Sequence, residues 1–106
     1  MVFIETPTFT KLITQLLSDD EYQKLQKTLL LNPAKGVLIR GSGGLRKMEW
    51  KLGTHGKKGG MRVIYYWAMS NDQIYLLFAY PKNKQVDLTH EQLKLLKQLV
   101  EEEIKT

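Results

Sequence analysis

The stretch Met61-Arg62-Val63-Ile64-Tyr65-Tyr66-Trp67 constrains the fold more than any other part of the chain. It is dominated by β-branched and aromatic side chains, which favour a strand. A second strand, Ile74 to Tyr80, follows an Asn71-Asp72 turn and is closed by Pro81. Two strands joined so closely pair antiparallel. Upstream, Leu45 to Leu52 alternates, with Arg46, Met48 and Trp50 on one side and Lys47, Glu49 and Lys51 on the other. Val37-Leu38-Ile39 reads as a shorter strand before a Gly41-Ser42-Gly43-Gly44 turn. The middle of the chain is therefore an antiparallel meander.

The two ends read as helical. After a short extended VFIE, Thr6-Pro7 is a cap residue followed by proline at the first helical position. Phe9, Leu12, Ile13, Leu16 and Leu17 then fall on one helical face. Ser18-Asp19-Asp20-Glu21 has the form of a capping box, so a second helix starts there and runs to Asn32-Pro33. Thr89-His90-Glu91-Gln92 opens a last helix whose apolar stripe is Leu93, Leu96, Leu99 and Val100. The expected class is α+β in one domain over residues 1–106: an N-terminal helical hairpin and a C-terminal helix packed on a central antiparallel sheet.

Charge is concentrated. The formal net charge is +5, yet residues 40–62 alone carry Arg40, Arg46, Lys47, Lys51, Lys57, Lys58 and Arg62 against Glu49, and all eight glycines lie between Gly36 and Gly60. Residues 1–39 balance to zero and residues 87–106 are acidic. A basic, glycine-rich centre between neutral and acidic ends suggests one surface that faces a polyanion. No apolar run is long enough to span a bilayer, and the start MVFIETPTF does not look like a secretory signal, so the expected location is cytoplasmic, away from membranes. With no cysteine there is no thiolate nucleophile and no sulfur-ligated metal.

Little else in the sequence carries chemistry. His55 reads as an exposed loop residue and His90 as part of a helix cap. Glu49 is the one acid of the basic centre, which argues against a hydrolytic metal site; no metal and no cofactor are expected. The loop Gly53 to Gly60 departs from the nucleotide-binding form and precedes a strand rather than a helix. It reads instead as a lysine-tipped hairpin that contacts phosphates. On the strand after it, Arg62, Ile64 and Tyr66 face one way and Val63, Tyr65 and Trp67 the other. A sheet face with Arg62 and Lys47, rimmed by Lys57, Lys58, Lys82 and Lys84, suits a phosphodiester. Most of Trp50, Tyr65, Tyr66 and Trp67 are expected in the core.

Three blocks, Gly41-Ser-Gly-Gly-Leu-Arg-Lys-Met-Glu-Trp, Gly56-Lys-Lys-Gly-Gly-Met-Arg-Val-Ile-Tyr-Tyr, and Tyr80-Pro-Lys-Asn-Lys with Asp87-Leu-Thr, together resemble the RelE/ParE superfamily of bacterial toxins, close to its HigB branch. The resemblance implies a microbial-ribonuclease-like fold and ribosome-dependent cleavage of messenger RNA in the A site. It also implies a cognate antitoxin protein as partner, and a free toxin that is monomeric. Arg62 matches the family arginine that stabilises the scissile phosphate. Lys47 falls near its basic positions on the preceding strand, and Lys82 and Lys84 match its basic cluster after the last strand, all as further catalytic residues. Arg40, Arg46, Lys51, Lys57, Lys58 and Tyr80 are expected to contact RNA or ribosome. Glu49 departs from the pattern, since many relatives carry a cation there; it is left as a base or as a partner for Lys47. The implied reaction is attack of the ribose 2′-oxygen on the adjacent phosphorus without a metal. Two other readings stay open: a ParE-like inhibitor of DNA gyrase with no nuclease site, and a plain nucleic-acid-binding module. An antitoxin segment, acidic or apolar, would cover the basic face or an edge strand.

Overall fold

The structure, a computed structural model, describes residues 1–51 and 60–105. Strand β1 (Val2–Glu5) leads into helices α1 (Pro7–Leu16) and α2 (Asp19–Leu31). Strands β2 (Val37–Leu38), β3 (Leu45–Lys51), β4 (Gly60–Ala68) and β5 (Gln73–Pro81) follow, then helix α3 (His90–Leu99) with a π-helical last turn at Val100–Ile104. The α+β class is as expected, with strand order β1-β5-β4-β3-β2. Pairs β2–β3, β3–β4 and β4–β5 are antiparallel, while β1 adds to the outer edge of β5 in parallel. That exception follows from connectivity. The helical hairpin carries the chain from one sheet edge to the other, and three reversals then leave β5 running with β1.

The sequence caps act as helix starts. The Thr6 hydroxyl accepts from the Phe9 amide with Pro7 at N1, and Ser18 accepts from Glu21. Thr89 and Gln92 form a reciprocal capping box at α3. Glu5 ties the first three elements together: it accepts from Thr10 of α1 and from the Tyr22 hydroxyl of α2, each at 2.6 Å. Burial, and then the Glu5 carboxylate, push the Tyr22 phenol far up from its ordinary pKa.

Both sheet faces are covered. Phe9, Ile13, Leu25 and Leu29 of α1 and α2 pack on Met48, Val63, Tyr65, Ile74 and Leu76. On the other face, Leu93, Leu96, Leu99 and Val100 pack on Leu45, Ile64, Leu77 and Tyr80. Trp50 and Trp67 are half-buried against the first core, in line with their expected role.

A register shift in β4–β5 decides what reaches the second face. Ile64 pairs with Phe78 but Tyr65 pairs with Leu76, so Leu77 is an extra residue in β5. Before it, Ile74 and Leu76 belong to the α1–α2 core; after it, Phe78 and Tyr80 join the α3 core. Strict alternation would have kept Tyr80 on the face of Ile74. The bulge moves it to the face of Arg62. Among the described residues no helix is long and apolar enough to cross a membrane.

Candidate nucleic-acid interface

Register places the site. Glu49 of β3 lies opposite Arg62 of β4, and Arg62 lies opposite Tyr80 of β5, so three side chains form a row across three strands. Lys47 stands two residues before Glu49 on the same face. Lys82 follows β5 directly, its amide bonded to the Gly60 carbonyl at 2.8 Å. The segment between β5 and α3 then crosses this end of the sheet and brings Val86 and Asp87 onto Arg62.

The result is a chain of alternating charges. Lys47 Nζ donates to Asp87 Oδ1 at 3.3 Å, and Arg62 Nη1 donates to the same oxygen and to the Val86 carbonyl. Arg62 Nη2 reaches Glu49 Oε1 at 3.5 Å, and Lys82 Nζ donates to that oxygen at 2.7 Å. Three cations thus meet two carboxylates. The hydrogen bond and charge of Lys82 hold Glu49 below the usual carboxylate range, and Lys47 does the same for Asp87. Burial works against the charge on Arg62, but contacts with Tyr80 and Asp87 outweigh it and raise its pKa. Its side chain is only 14% exposed, so its position is fixed by packing as well as by charge.

Glu49 was one of two alternatives, a base or a partner for Lys47. Its partners are Lys82 and Arg62; Lys47 pairs with Asp87 instead. Cross-strand neighbours stand closer than residues two apart on one strand, which favours Arg62 over Lys47 as the partner of Glu49. Its depressed pKa also makes Glu49 a weak proton acceptor near neutrality.

The other expected contact residues divide. Lys84 lies on the turn after β5, its amide bonded to the Pro81 carbonyl, and its side chain makes no ion pair with a described residue. Lys51 is exposed at the end of β3. Lys57 and Lys58, like His55, lie outside the described residues. Arg46 does not belong to this face. It donates to the Gly36 carbonyl at 2.8 Å and to that of Ala34 at 3.3 Å, and it lies 6.0 Å from the centre of the Trp67 ring. Its work is to hold the α2–β2 connection against the sheet. Arg40 is exposed in the β2–β3 turn, at the opposite end of β3 from Glu49. Tyr80 is 4% exposed, with its ring packed near Phe78 in the second core, so it offers no stacking platform. Only its hydroxyl belongs to the site.

Two residues were not assigned here from sequence. Asp87 was noted as part of a pattern without a role. Lys35, in the α2–β2 connection, lines a cleft of ≈ 360 Å³ together with Val37, Lys47, Met48, Glu49 and Arg62. The cleft lies where β2, only two residues long, stops and leaves the rest of the β3 edge uncovered. No local spacing links Lys35 to Lys47 or Arg62, so only the fold reveals it.

This assembly offers an anion a fixed guanidinium flanked by two primary amines, in an open cleft at a sheet end. Each carboxylate there is a competitor that an incoming phosphate can replace. No protein-family model matches the chain. In fold the chain is similar to the free-state structure of a double arginine-to-alanine variant of the E. coli toxin RelE. The TM-score is 0.56 at 14% identity, covering 80% of this chain and 86% of that one.

Proposed function

We propose that this chain is the toxin of a toxin–antitoxin pair, of the HigB kind, and that it cuts messenger RNA in the A site of the 70S ribosome. The observation that carries the reading is the convergence of Lys47, Arg62 and Lys82 on one face of a RelE-like fold. In this reading the scissile phosphate displaces Asp87 and Glu49 and takes the guanidinium of Arg62 in a two-pronged grip. The ribose 2′-hydroxyl passes its proton to solvent water as its oxygen attacks phosphorus in line, the P–O5′ bond breaks, and a 2′,3′-cyclic phosphate and a 5′-hydroxyl are left. Arg62 neutralises charge that grows on the non-bridging oxygens, with Lys47 beside it. Lys82 or Lys84, on the turn after β5, protonates the departing 5′-oxygen.

The site supplies charge and a rigid grip but no strong base, because its two carboxylates are held ionised by cations. Orientation of the attacking 2′-oxygen therefore falls to the ribosome, and free RNA is a poor substrate. A cognate antitoxin neutralises the protein, and the unbound toxin is monomeric in the cytoplasm.

The test is cleavage of a message on purified 70S ribosomes, with naked message beside it. The expected result is cutting at the A-site codon, slowed on the order of 10²–10³-fold by Arg62→Ala. Inhibition of gyrase supercoiling without cleavage would put the chain with the ParE toxins, and unchanged cutting by Arg62→Ala would remove that residue from catalysis.

A further inference from the structure

A second pocket adjoins the cationic cleft and shares Lys47 with it. It measures ≈ 170 Å³ and is walled by Ile39, Ile64, Leu88 and Leu93, with Lys47, Tyr80 and Asp87 as its polar lining. Ile64 and Tyr80 belong to the sheet, whereas Leu88 and Leu93 come from the connection before α3 and from α3 itself. It is thus an apolar slot between sheet and helix, open towards the residues proposed to hold phosphate.

Two buried polar atoms mark the boundary between cleft and pocket. Tyr80 Oη and Arg62 Nε are both buried without a hydrogen-bond partner among the described residues. Burial pushes the Tyr80 phenol up, and the contact and charge of Arg62 oppose that push. A buried hydroxyl left unpaired costs about 1–3 kcal/mol, a cost that a polar group entering the pocket would offset. Asp87 adds an acceptor. Lys47 and Arg62 both bond its Oδ1, so Oδ2 is without a hydrogen bond to a described residue.

We propose that this pocket is a base subsite that takes the six-membered ring of a pyrimidine nucleotide whose phosphate lies on Arg62 and Lys47. The inference rests on the nuclease reading above and adds a substrate preference to it. Size favours one ring over two: an apolar cavity of about 150 Å³ accommodates benzene, and this pocket is little larger. The lining suits a pyrimidine edge. Lys47 donates to a ring carbonyl, and Asp87, released from Arg62 by the phosphate, accepts from a cytosine amino group or a uracil N3–H. The aliphatic walls cover the ring faces, and a purine would leave its second ring outside them.

The experiment is an NMR titration of the whole protein with 3′-UMP, 3′-CMP, 3′-AMP, 3′-GMP and, separately, inorganic phosphate. The expected result is that both pyrimidine nucleotides bind about tenfold tighter than either purine, a difference equal to one neutral hydrogen bond. Amides of Ile64, Leu88 and Leu93 should shift with pyrimidines and stay still with phosphate. Leu93→Trp, which fills the slot from α3, should narrow the pyrimidine advantage and leave the phosphate affinity unchanged. If all four nucleotides bind no better than phosphate, the base subsite is wrong and the phosphate site stands. If phosphate and nucleotides alike fail to bind, both readings fall, and tighter binding of purines overturns the subsite alone.

Discussion

Asp87, Glu49 and the Val86 carbonyl hold Arg62 through its two terminal nitrogens, and both carboxylates are about three-fifths exposed. Water and an incoming phosphate therefore reach the acceptors, while the arginine itself stays packed. The acids do two jobs at the residue scale. They keep three like charges from repelling one another, and they fix the guanidinium before a substrate arrives. The pH dependence follows from their depressed pKa values. Such groups stabilise the fold above their unfolded pKa, and that contribution is lost as pH falls through the lower folded pKa. A Glu49→Gln/Asp87→Asn double variant should melt below wild type at neutral pH, because the cations then repel unopposed. The gap should close on acidification from about pH 5 to about pH 2, as wild type loses the same charges. Melting curves across that range check it; a gap that stays constant would show that the two acids do not couple to the cations.

At the scale of elements, the α2–β2 connection is held by Tyr65 as well as by Arg46. The Tyr65 hydroxyl accepts from the Gly36 amide at 2.8 Å and donates to the Pro33 carbonyl at 2.7 Å, deep under the sheet. Gly36 allows this approach, since a Cβ there would stand 2.7 Å from the Tyr65 ring. Tyr65→Phe strands both backbone groups and should destabilise the fold by about 1–3 kcal/mol in urea unfolding, with no change in m-value. A loss under about 0.5 kcal/mol would mean that water replaces the hydroxyl at no cost. Helix starts were legible because caps are local chemistry: Thr6, Ser18 and Thr89 each act where the sequence put them. The Leu77 bulge was not. Ile74 to Tyr80 is apolar on both faces, so no alternation exists whose break could be read. The parallel pairing of β1 was hidden likewise, because VFIE carries no mark of its partner.

For the whole molecule, the asymmetry of charge becomes an asymmetry of place. Alternation along β3 and β4 was enough to put Lys47 and Arg62 on one face and Arg46 on the other. Contacts made by connecting segments were not legible, so Asp87 and Lys35 join the site only in three dimensions. The basic centre consequently overstates the free positive charge. Part of it is bound to Glu49 and Asp87, Arg46 is tied to the opposite face, and Arg40 sits at the far end of β3. Among the described residues, what is left is a small cationic site that suits the grip of one phosphate. The measurement that tests this most directly is transcriptome-wide mapping of RNA 5′ ends after brief induction of wild type and of folded Arg62→Ala. New 5′-hydroxyl ends in phase with the reading frame are expected for wild type, and their near-disappearance for Arg62→Ala. Growth arrest without such ends, or the same ends with the arginine removed, would contradict it.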